Sequence, residues 1–174
     1  MKSVLVDLND AAATLPNSYN SVENITPLET PLSSTINGAA LATPVFLSLY
    51  AENDLRLDKY FAETDEKGFR KNKKAGSNNY LCTFRVGEIY LTAAEAAARL
   101  GELSQARTRL LELMRKRYAP EAYEAKSVVV NAMDKEALVQ EILDERAREL
   151  AFEGHRWFDL RRSTRPRLEK VLDG

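Results

Sequence analysis

The chain has 174 residues, 44% of them hydrophobic and 29% charged, the balance of an ordinary globular domain with room for one sizeable core. Its net charge of −1 and pI near 6.0 exclude a global electrostatic footprint for nucleic acid or an anionic membrane. A single cysteine, Cys82, excludes an internal disulfide and a cysteine metal cluster, and no run approaches the roughly 18 apolar residues of a membrane-spanning helix.

Residues 1–44 are rich in Ser, Thr, Asn and Pro, with Pro16, Pro27, Pro31 and Pro44 spaced so that no long helix can form. The first residues begin like a signal peptide, but Asp7, Asn9 and Asp10 interrupt any apolar stretch. Asn17 to Thr35 carries little periodic apolar signal, so this irregular, loop-rich segment is expected to be disordered or to pack against something outside the chain. Residues 45–174 are expected to form the folded, helical part. Within them Glu52, Asp54 and Asp58 form an acidic cluster without metal-loop spacing, and a solvated face is expected there. The basic runs at Arg70 to Lys74 and Arg115 to Arg117 are read the same way.

From residue 84 onward the period is helical. Val86, Ile89, Tyr90, Ala93, Ala94, Ala97 and Leu100 line one face of a helix from about Phe84 to Leu100, and Gly101 suits a left-handed C-terminal cap. A second helix, with Ser104 as N-cap, runs to about Tyr118 with Ala106, Leu110, Leu113 and Met114 on its face, and Pro120 closes it. Ser127 to Val130 is the clearest strand-like run. A third helix spans about Lys135 to Phe152, capped by Asp134 and ended by Gly154, with an apolar stripe of Leu138, Val139, Ile142, Leu143, Ala147, Leu150 and Ala151. A short fourth helix covers Arg156 to Arg162, and Pro166 can start another turn. The class is all-α. A helix, a Gly-containing turn and a second helix, with small residues Ala94 and Ala106 permitting close approach, form a hairpin of tetratricopeptide type.

Glu145 to Arg162 concentrates nine charged side chains and the sole tryptophan in eighteen residues. Glu145 with Arg148, Arg146 with Glu149, and Asp144 with Arg148 are spaced to pair on a helix. Arg156, Asp159, Arg161 and Arg162 can fold back towards Glu149 or Glu153. The expected outcome is a structural network of Glu145, Arg148, Glu149, Glu153, Arg156, Asp159 and Arg161. A hydrolase with Glu149 and Glu153 as acid and base, assisted by His155, is the catalytic alternative. Adjacent arginines argue against it, because they hold both carboxylates ionised. The lone His155 has no second histidine or cysteine pair to form a zinc site, so it is read as a surface or capping group and no cofactor is expected. Core packing is expected for Trp157. Tyr19, Tyr60, Phe61 and Tyr80 are candidate binding aromatics for each of which core burial is an equal alternative, and the sequence leaves them unranked.

Three blocks, in order, resemble the C-terminal part of the SusD/RagB family: Asn53 to Phe61, Phe84 to Ala96 and Glu145 to Arg162. The last is similar to the family's pattern E-R-x-x-E-L-x-F-E-G-x-R-x-x-D-L-R-R. The resemblance implies a helical, tetratricopeptide-like protein without catalysis, part of an outer-membrane nutrient-uptake system of Bacteroidetes. It implies capture of glycan, oligosaccharide or peptide on the cell-surface face, over a TonB-dependent SusC-like transporter. In that family these blocks are scaffold and the ligand site lies mainly elsewhere, so no ligand-binding residue is carried over. The family's lipobox cysteine and N-terminal repeat-bearing half have no counterpart here, and nor does its usual C-terminal tail. The chain is therefore read as a fragment whose lipid anchor lies outside it. A stand-alone tetratricopeptide-like scaffold binding a peptide or protein partner is the alternative reading.

Overall fold

A computed structural model describes residues 24–28, 41–73 and 82–163. In chain order the elements are β1 (Asn24–Leu28), β2 (Leu41–Ala42), α1 (Pro44–Leu47), α2 (Arg56–Tyr60), β3 (Phe61–Thr64), β4 (Arg70–Asn72) and β5 (Cys82–Arg85). They continue with α3 (Val86–Leu100), α4 (Leu103–Met114), α5 (Pro120–Ala132), α6 (Lys135–Glu149) and α7 (His155–Arg162). Helix dominates, as the all-α expectation requires, and the strands are short.

The helical core follows directly from the apolar spacing. Ala106, Leu110, Leu113 and Met114 of α4 are fully buried against Leu91, Ala94, Ala97 and Ala98 of α3. Alanines at the contact let the two backbones approach closely. Gly101 ends α3 at φ +85, and the amides of Gly101 and Glu102 turn back onto Ala98 and Ala97 at 3.0 and 2.9 Å. The α6 helix packs on the other side of α3, with Leu138 and Ile142 joining the same cluster. Because α3 is flanked on two sides, Leu91 and Ala98 are buried along with most of the expected face.

Several boundaries differ from expectation. Ser104 lies one residue inside α4, whose N-cap is Glu102. Pro120 opens α5 at its first turn, where its missing amide costs nothing, and does not close α4. The strand-like run Ser127 to Val130 is helical within α5, with Val130 fully buried and Val128 and Val129 exposed. The intrinsic preference of three valines is only a few tenths of a kcal/mol each, roughly, and burial of Val130 on the α4 side outweighs it. Asp134 caps α6 as expected, accepting from the Ala137 amide at 2.8 Å.

The N-terminal part contributes strands. Backbone pairing joins β1 antiparallel to β5, from Asn24 opposite Arg85 to Leu28 opposite Cys82, so this part of the segment read as irregular pairs within the chain itself. The order β2-β4-β3 makes a small antiparallel sheet. Its hairpin is turned by Asp65, whose carboxylate accepts the Lys67 and Phe69 amides at 2.9 and 2.8 Å. Phe61 of β3 is buried with Tyr50, Ala42 and Ala151 in a second core, where Phe46 and Phe152 meet it edge to face. Tyr19, Tyr80 and Pro166 lie outside the described residues.

Replacing Gly101 with Ala places a β-carbon in the left-handed region and should cost about 1 kcal/mol, lowering the melting temperature by about 2–4 °C. A thermal melt unchanged by the substitution would contradict the left-handed cap.

Candidate functional site

The charged cluster is assembled by backbone contacts that bring together four distant segments. The turn before α2 is pinned to the turn after α4, where the Leu55 amide donates to Arg117 O at 2.9 Å and the Ala119 amide to Asn53 O at 3.2 Å. This delivers Asp54, Arg56, Arg117 and Tyr118 to one side of α6. From the opposite direction β5 ends in Arg85, immediately before α3.

Glu149 is the centre. It is wholly buried and takes Arg85 at 2.7 Å, Arg117 at 2.8 Å and Arg56 at 3.0 Å. One turn earlier Glu145, also wholly buried, takes Arg56 at 2.6 Å and Arg148 at 2.8 Å. Arg56 is 2% exposed and also donates to Asp54 at 2.9 and 2.7 Å and to the Tyr118 hydroxyl at 3.3 Å. Arg148 reaches Glu141 at 2.7 Å, and Arg85 reaches Glu153 at 2.7 Å. Four arginines thus meet five carboxylates, with planar guanidinium forks matched to carboxylate edges.

The surrounding groups complete the cage. Tyr50 donates its hydroxyl to Arg148 O at 2.8 Å, and Tyr118 lies 3.4 Å from Glu145. Burial pushes both phenols well above their ordinary range, so they remain donors at any physiological pH. A β-carbon on Gly87 would come within 2.9 Å of a Glu149 carboxylate oxygen. The glycine in the Arg85-Val86-Gly87-Glu88 segment is there for that close approach.

The electrostatics of Glu149 and Glu145 run against a proton-donor role. Burial by itself would raise the Glu149 carboxyl, but Arg117, Arg85 and Arg56 outweigh it and hold it well below the usual carboxylate range. The same contest at Glu145, decided by Arg56 and Arg148, also ends low. A carboxylate kept ionised by three guanidinium groups accepts hydrogen bonds and holds segments together; it does not donate a proton. Among the described residues no group of His, Cys, Asp and Glu is arranged to hold a metal.

Of the residues expected in the network, Glu145, Arg148, Glu149 and Glu153 lie in this cluster. Asp159 lies in a second one, with Arg146 at 3.1 Å and Arg162 at 2.7 Å. The other two expected members stand outside these carboxylate pairs in the described contacts. Arg156 is half-buried and donates to Leu143 O at 3.3 Å, and Arg161 is exposed with its guanidinium 5.8 Å from the Trp157 ring centre. The reason is the turn after α6. Phe152 and Gly154 adopt φ +63 and +83 and send α7 away from Glu149, whose arginines come from elsewhere. Arg146 accordingly pairs with Asp159 in place of Glu149, and Asp144 accepts from Gln140 at 3.0 Å in place of Arg148. His155 is half-buried, its Nδ1 3.7 Å from Glu88.

Other readings also change. Trp157 is 53% exposed and is not a core residue, whereas Phe61 is buried and is not a surface aromatic. Asp54 and Arg117 belonged to runs expected to be solvated, and both are buried in the cluster. Arg56, Arg85 and Tyr118 had no role assigned. A signal was present for two of them, since Arg56 sits in the first motif block and Arg85 in the second.

Arg56→Ala leaves Asp54, Glu145 and Glu149 short of a shared cation and should destabilise the fold by about 3–5 kcal/mol. Lysine should restore little of it, because one ammonium cannot span three carboxylates. Denaturant unfolding checks both, and a loss below ~1 kcal/mol for the alanine variant would contradict the arrangement.

The lowered values of Glu149 and Glu145 also set a pH dependence. Carboxyls depressed in the folded state contribute stability that is present above their ordinary value of 4.5 and lost as pH falls through the folded values. Stability should therefore fall steeply on acidification below that value, and Glu149→Gln should flatten the dependence while weakening the fold at neutral pH. An equally steep curve in the variant would assign the acid sensitivity elsewhere.

No curated protein matches the chain. The sequence model of the SusD family, by contrast, matches residues 39–170, a span that contains all three motif blocks and every residue of the two charged clusters. Those blocks supply Arg56, Arg85 and Glu149, the outermost two 93 residues apart in the chain, to a single contact. With most of its length matched, this chain belongs to the SusD family.

Proposed function

We propose that this chain is part of a non-catalytic nutrient-binding component at the cell-surface face of the outer membrane. It works beside a TonB-dependent SusC-like transporter and takes a glycan or oligosaccharide as its ligand. The observation that carries the reading is the family match over residues 39–170, since membership of the SusD family points to a nutrient-binding part of an uptake system. The geometry agrees with it. Binding proteins need a rigid scaffold and no proton chemistry, and the most concentrated group of ionisable residues is locked in arginine pairs. Among the described residues no helix is long and apolar enough to cross a membrane; the lipid anchor that the family resemblance implies belongs to the same proposal.

The test is calorimetric titration of the protein with a panel of oligosaccharides, with the sugars recovered and weighed by mass spectrometry. The expected result is saturable binding of one glycan class, with every sugar recovered intact. Tight binding of peptides with no glycan binding would favour the helical-scaffold alternative. Turnover of the sugar that disappears in Glu149→Gln would overturn the non-catalytic reading.

A further inference from the structure

Among the described residues, the side-chain contacts that join α7 to α3 and α6 are mainly polar, and its one aliphatic residue, Leu160, is half-buried. Of its eight residues only Asp159 is buried, while Trp157 and Phe158 stand 53% and 67% exposed. No side chain of α7 belongs to either apolar cluster among the described residues. Asp159 lies between Arg146 of α6 at 3.1 Å and Arg162 of α7 itself at 2.7 Å. Arg162 crosses to α3, where both its terminal nitrogens meet the Glu95 carboxylate, one of them at 2.6 Å. Arg99 holds Glu95 from the same helix at 2.8 Å, and Thr92 accepts from Arg146 at 3.1 Å. The contacts of Arg156 with Leu143 O and of His155 with Glu88, at 3.3 and 3.7 Å, are also polar.

The connection to α6 has the geometry of a pivot. Phe152 is the one non-glycine residue with positive φ among the described residues, and Gly154 follows it in the same region. A bulky residue is strained there, and Phe152 is kept in place by edge-to-face contacts with Phe46 and Phe61 at 5.9 and 6.0 Å. The pivot therefore touches the second core, while the side-chain contacts of His155 to Arg162 with α3 and α6 given above are polar or ionic.

We propose that α7 is a strap, hinged at Phe152–Gly154 and latched by Arg162 and Asp159, which opens and closes as a unit while the α3–α4–α6 core stays folded. A helix docked by apolar burial would be released only with the core that buries it. One docked by two ion pairs, Arg162 to Glu95 and Arg146 to Asp159, is released when those pairs open. Opening uncovers Arg146, Thr92 and Glu95, a charged strip on α6 and α3, and carries the Trp157–Phe158 pair with it. An anionic group that takes Arg162 from Glu95 binds the open form alone and shifts the population towards it.

Hydrogen exchange followed by mass spectrometry on the full chain tests this. In the wild type, α7 amides should exchange well before those of α3 and α4, as expected of a local opening. Arg162→Gln should speed α7 exchange by about tenfold or more, the scale of a lost charge-assisted hydrogen bond, with α4 protection unchanged. The double substitution Trp157→Ser and Phe158→Ser should leave α7 protection as it was. The strap is overturned if Arg162→Gln deprotects α7 and α4 together, if it changes neither, or if the aromatic substitutions alone release α7.

Discussion

A carboxylate with no solvent exposure is among the costliest groups a fold can contain, and Glu149 is tolerated only because three guanidinium groups reach it. Each of those arginines comes from a different part of the chain: the first residue of α2, the end of β5 and the turn after α4. Burying one charge therefore requires three connections to be in register simultaneously. Glu145 repeats the demand one helical turn away, sharing Arg56 and adding Arg148. Like-charged neighbours four apart on a helix would ordinarily repel, and the shared Arg56 fork between them converts that repulsion into a joint site.

The division of labour between apolar and ionic contacts follows from this. The α3–α4 hairpin is an alanine- and leucine-rich contact with few features that select one register, and the second core is a ring of edge-to-face aromatics. Between the two lies the ionic cluster, whose hydrogen bonds have fixed lengths and directions. It connects the sheet-bearing part of the chain to the helices through Arg56, Arg85 and the Tyr50 hydroxyl on Arg148 O. In a binding protein that connection would keep loops on the sheet side fixed relative to the helices. The second cluster, around Asp159 and Glu95, instead holds a helix with little apolar surface of its own committed to the core.

The legible part of the fold was the part with a strong period. Helices α3, α4 and α6 carry apolar residues at three- and four-residue steps, and Gly101 and Asp134 mark their ends by chemistry that acts within a few residues. Helix α5 reads locally as a strand because three adjacent valines dominate its signal, while the burial that decides it, at Val130, is non-local. The short strands β2, β3 and β4 offer too few residues for a period of two to register. The cluster around Glu149 was half visible. Charge density marks α6, but helical spacing and a fold-back from the next helix point only to nearby partners, whereas the actual partners of Glu149 lie 32, 64 and 93 residues away. Asp54 and Arg117 looked like surface charge because nothing in a run of charges says that one member turns inward. The order of the three motif blocks was the only long-range signal, and they meet at this site.

The central claim, that Arg56 and Glu149 are coupled across the fold and do more than share a neighbourhood, is tested most directly by a double-mutant cycle. Arg56→Met, Glu149→Gln and the combined variant would be compared with the wild type by denaturant unfolding at neutral pH. A coupling energy of about 2 kcal/mol or more is predicted, with the double variant much more stable than the sum of the single losses implies. Additive losses, with coupling below roughly 0.5 kcal/mol, would contradict the account.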